Sequence, residues 1–114
     1  MEELTARVAA QTGIDPDIAR KAVIIILKFL LREGKPDKVA PLVDALPGAR
    51  EAIGNGEGGA SGVMDVFSAL TGVGLGMGQV QSVARAFVAY AREKAGAATV
   101  NEVVASIPGL GQFV

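Results

Sequence analysis

The longest apolar run in the chain is Ala22 to Leu31, AVIIILKFLL, at the middle of a helix expected from about Pro16 to Glu33. At 100° per residue, Ile18, Ala22, Ile25, Ile26 and Phe29 share one arc, which Ala19, Val23 and Leu30 widen into an ordinary core face. Ile24, Leu27 and Leu31 carry the apolar surface round the far side, leaving mainly Lys21, Lys28 and Arg32 for water. A helix apolar nearly all round is expected to be buried on more than one side. Before it, Leu4 and Val8 mark a short first helix ended by Gly13, and Asp15, Pro16 and Asp17 supply an N-cap acceptor, a first-turn proline and a favourable charge. Beyond Gly34, Val39, Leu42, Val43 and Leu46 mark a third helix opened by Pro36 and ended by Pro47 and Gly48. Pro41 either delays or kinks it, because an interior proline removes a backbone donor.

Residues 54–62, GNGEGGASG, read as a flexible linker, after which the pattern starts again. Val63, Phe67, Thr71, Gly72 and Val73 repeat Leu4, Val8, Thr12, Gly13 and Ile14 at an offset of 59. Two extra residues in the next turn raise the offset to 61, and Phe29 then meets Tyr90, Val39 meets Val100, Leu46-Pro47-Gly48 meets Ile107-Pro108-Gly109, and Ile53 meets Val114. The expected fold is all-α: two similar three-helix repeats, 1–53 and 63–114, packed as one compact helical domain over 1–114. Thr99 with Glu102 is expected to form a capping box for the last helix.

The halves differ in one informative way. Ile24 and Leu31 correspond to Arg85 and Arg92, and Arg20 to Gln81, so the second long helix has a conventional polar outer face where the first is apolar. Either the first long helix is central and covered by the second half, or Ile24, Leu27 and Leu31 form an interface with a second copy or another protein.

Composition removes many chemistries. The 114 residues contain no Cys and no His, which excludes disulfides, thiol nucleophiles, the usual zinc sites and imidazole catalysis. Half the residues are hydrophobic, enough for a core without metal support. Eleven basic and twelve acidic residues give a net charge of −1, so broad affinity for nucleic acid is not expected. Lys21, Lys28, Arg32 and Lys35 nevertheless form a basic stripe, a solvated helix face or a local anion-binding site for nucleic acid or anionic lipid. The glycines of TGVGLGMG, 71–78, follow a helix and lack the Lys-Ser or Lys-Thr end of a phosphate loop; they read as an inter-helix connection anchored by Val73, Leu75 and Met77. Ser61, Ser68, Ser82 and Ser106 lack an activating base, the carboxylates lack metal-loop spacing, and Tyr90 takes the core place of Phe29 with its hydroxyl expected near the edge. No enzyme activity, cofactor or metal is expected. The apolar run is too short for a membrane span, which needs roughly 20 residues, and MEELTARVAA lacks a secretory pattern, so a cytoplasmic location is expected.

Two resemblances follow. With its paired LPG and IPG motifs and glycine-rich middle, the chain resembles a group of small bacterial all-helical proteins without an assigned activity. Leu4, Val8, Ala9, Thr12, Gly13, Ile14, Ala19, Ala22 and Val23 fall at the spacing of the N-terminal helical hairpin of HU-type nucleoid proteins, which the first third therefore resembles. That resemblance implies two hairpins clasped as a built-in pseudo-dimer, and an alternative role as an HU-like DNA-associated protein using the basic face. The chain departs from the family in having nothing that matches its β-sheet and basic arms. The main expectation is therefore a non-enzymatic protein–protein interaction or structural module, partnered by a second copy in a homodimer or by another protein, with a small-molecule carrier between apolar helices as a third alternative.

Overall fold

A computed structural model describes residues 2–46, 48–53 and 62–107, and over these the chain is all-helical. The seven helices are α1 (Glu2–Thr12), α2 (Pro16–Glu33), α3 (Pro36–Ala45), α4 (Ala49–Ile53), α5 (Val63–Gly72), α6 (Met77–Ala95) and α7 (Ala97–Ser106). Apart from Gly62, the glycine-rich linker lies outside the described residues, as do Pro47 and 108–114.

Local chemistry accounts for most of the helix ends. Gly13 has φ +73°, and its N–H donates to the Ala9 carbonyl at 2.8 Å, so α1 stops where a left-handed residue is available. The Asp15 carboxylate accepts from the Asp17 N–H at 2.8 Å, with Pro16 in the first turn of α2. Gly34 ends α2 in extended backbone rather than with positive φ; a Cβ there would collide with Val39 and the Leu30 carbonyl. α3 continues through Pro41. The donor that proline lacks would have served the Asp37 carbonyl, and both residues are exposed, where water can replace a lost donor.

α7 starts earlier than its expected cap, and α6 starts within the expected 71–78 connection. α7 begins at Ala97 after Gly96, whose φ is +92°, so Thr99 lies inside the helix instead of capping it. Glu102 instead meets Lys38 of α3 at 3.3 Å. α6 begins after Gly76, whose N–H donates to Gln79 Oε1 at 2.9 Å. In the connection before it, Leu75 is buried and Val73 half-buried, whereas Met77 is 70% exposed and anchors nothing.

The two long helices lie at the centre. α2 packs against α1, α3, α4, α5 and α6, and α6 against α1, α2, α3, α5 and α7. α1 therefore reaches across to α6 and α5 to α2, while α3 and α7 pack together. The shared core contains Leu4, Val8, Leu27, Phe29, Leu42, Val83, Tyr90 and Val103, all at most 1% exposed. A Cα radius of gyration of 12.4 Å matches a compact chain of this length, for which about 13 Å is typical at 100 residues. No described helix is long and apolar enough to cross a membrane.

Candidate interaction surface

The outer stripe of α2 runs Arg20, Lys21, Ile24, Lys28, Leu31 and Arg32, positions that helical spacing stacks on one face. Arg20, Lys21 and Arg32 are exposed; Ile24, Lys28 and Leu31 are half-buried. Leu27 is different. It is 0% exposed, so it belongs to the internal core, and the surface part of the apolar stripe reduces to Ile24 and Leu31, of which Leu31 also packs against the core. Sequence spacing groups Leu27 with its neighbours but does not tell which flank of α2 another helix covers. On α6, Arg85 and Arg92 stand exposed at the positions 61 further on, and Val88 is buried like Leu27.

Of the basic stripe, Lys21, Arg32 and Lys35 are exposed, and none of Lys21, Lys28, Arg32 and Lys35 meets a carboxylate among the described residues. Along α2 itself, Lys21 and Arg32 are about 16 Å apart at 1.5 Å per residue. The stripe and the two apolar side chains thus share one face, with cations on both sides of Ile24 and Leu31.

The opposite arrangement is found where α1 meets α6. Arg7 forms a bidentate pair with Glu93, one of its two bonds being 2.9 Å, and Lys94 meets Glu3 at 3.6 Å. The same two cations flank the Tyr90 ring, with Arg7 at 5.7 Å and Lys94 at 5.6 Å from its centroid. The hydrogen bond from Arg7 holds the Glu93 carboxyl below the usual carboxylate range. Burial, then the nearby Glu3 charge, pushes the Tyr90 hydroxyl above its ordinary value. That hydroxyl is fully inside the protein, not at the edge, and like Thr5 Oγ1 it has no hydrogen-bond partner among the described residues. Ser82 and Ser106 donate their hydroxyls to the helix carbonyls of Gly78 and Val103 at 3.0 and 2.7 Å. Among the described residues no group of three or more carboxylates is placed to hold a metal ion.

An apolar cavity of about 60 Å³ lies between α2, α3, α5, α6 and α7, where the sequence offered a carrier between apolar helices only as an unlocated alternative. Ala84 and Ala91 are among its lining, where α6 presents two short side chains beside Phe87 and Val88. Those alanines are the signal available in the sequence, although periodicity alone does not show where neighbouring helices stop short.

Comparison with family models, curated proteins and solved structures finds no match to this chain.

Proposed function

We propose that this chain is a non-enzymatic protein-interaction module built from two similar helical repeats joined by the glycine-rich linker, the first carrying the short helix α4 beyond the expected three. Helix boundaries support the duplication: a shift of 61 residues carries α3 onto the span of α7, and α2 onto all but the last residue of α6. Packing supports it too, since the first helix of each half crosses to the long helix of the other, in the manner of two clasped hairpins. The interaction surface is the outer face of α2, where Ile24 and Leu31 meet a second copy of the chain. The observation that carries this reading is the contrast at corresponding positions, half-buried Ile24 and Leu31 against exposed Arg85 and Arg92. An outer helix face needs no apolar side chains for its own solubility; on α6 arginines suffice.

The test is the solution mass of the native chain and of the Ile24→Glu, Leu31→Glu double variant. A dimer that persists in high salt and becomes a helical monomer in the variant supports the reading. A monomer at all concentrations rejects self-association through this face.

The cations Lys21, Arg32 and Lys35, which meet no carboxylate among the described residues, favour a second reading, HU-like association with DNA. Such binding would weaken steeply with salt, as counterion release requires. It would be lost on Lys21→Ala with Arg32→Ala, while the uncharged change Ile24→Ala would leave it in place.

A further inference from the structure

The geometry points to a second, separate activity: the cavity between the central helices binds the methyl end of an unbranched alkyl or acyl chain. It rests on observations independent of the α2 outer face. The lining is apolar throughout, with Leu30, Leu70, Val80 and Val103 buried in its wall. A buried water needs two to four polar partners, and among the described residues this wall supplies no polar side chain, so the favoured occupant is hydrocarbon.

Size narrows the class. A cavity of about 60 Å³ has room for only a few groups of methyl size. An engineered cavity that admits benzene measures about 150 Å³. A ring is therefore too bulky, and the tip of a slim chain fits. The space is also accessible. Ile26, Phe67, Ala84 and Val104 line it and keep some exposure, which places a rim at the surface across which the rest of a chain can continue. Burying apolar carbons in such a site is favourable, whereas a headgroup left at the rim stays hydrated.

The experiment titrates the full chain with octanoate, below its micellar range, and follows side-chain methyl resonances by NMR. The expected result is a saturable shift of the Leu70, Val80 and Val103 methyls, with Leu4 and Val8 unmoved and no response to benzene. Ala84→Leu, which fills the rim, should weaken octanoate binding at least tenfold with an unchanged circular dichroism spectrum. Phe67→Ala, which widens the opening, should admit benzene, and it keeps the test decisive should Ala84→Leu fail to fold. The absence of a saturable octanoate shift in the native chain would overturn the proposal. So would a response confined to exposed Met64 and Met77, or undiminished binding by folded Ala84→Leu.

Discussion

α2 and α6 do the same structural work with different surfaces. Both lie at the centre of the fold, both are packed by α1, α3 and α5, and both bury an aromatic ring at corresponding positions, Phe29 in α2 and Tyr90 in α6, to which α6 adds Phe87. Outward, they diverge: Ile24 and Leu31 are half-buried on α2, whereas Arg85 and Arg92 are exposed on α6. The inward positions of such a helix answer to packing, where a change of one methylene is felt. The outward positions are left for another purpose, and on α2 they are apolar among cations.

The largest expected effect lies in the common core. Phe29→Ala removes a ring only 1% exposed and should cost about 3–5 kcal/mol of stability, read by chemical denaturation. A loss under about 1 kcal/mol would mean that α2 is less central than α6.

The two aromatics differ by one hydroxyl, and exchanging it sharpens the comparison. Tyr90→Phe removes a buried oxygen with no hydrogen-bond partner among the described residues and keeps the ring between Arg7 and Lys94. Stability should hold or rise by about 1 kcal/mol, since an unsatisfied buried group costs more than its apolar replacement. A clear loss would give the second-half aromatic a polar role that Phe29 lacks.

Copying the α6 surface onto α2, Ile24→Arg with Leu31→Arg, should change monomer stability by roughly 1 kcal/mol or less, because both sites are half-open and long side chains can reach solvent. Self-association, followed by sedimentation, should disappear. The smallest effect is electrostatic. Because Arg7 lowers the Glu93 pKa in the folded state, the pair's contribution is present above the ordinary carboxylate range and is lost as the pH falls through the folded-state value. Both groups are partly exposed, so the resulting slope in melting temperature should be slight, reduced by salt and absent in Arg7→Ala.

Much of the helical framework was legible in the sequence. Gly13, Asp15 with Pro16, and Pro36 act through local backbone chemistry, and the helices begin or end beside them. The Thr99 and Glu102 pattern misled because Gly96, with φ +92°, turns the chain three residues earlier and Glu102 is drawn to Lys38 on another helix. Leu27 was grouped with Ile24 and Leu31 by angle, but tertiary packing decides which flank is covered, and α2 has neighbours on several sides. The cavity depends on how closely five helices approach, which no single helix encodes. For the α2 face, spacing named the side chains, and only packing could tell that Ile24 and Leu31 remain part-open while Leu27 does not.

The most direct test of the account is the light-scattering mass of the native chain at low and high salt, with and without a short DNA duplex. The account predicts a dimer at both salt concentrations that ignores DNA, because the contact is made by Ile24 and Leu31. A monomer that gains mass only with DNA and only at low salt would contradict it and transfer the function of the α2 face to Lys21, Arg32 and Lys35.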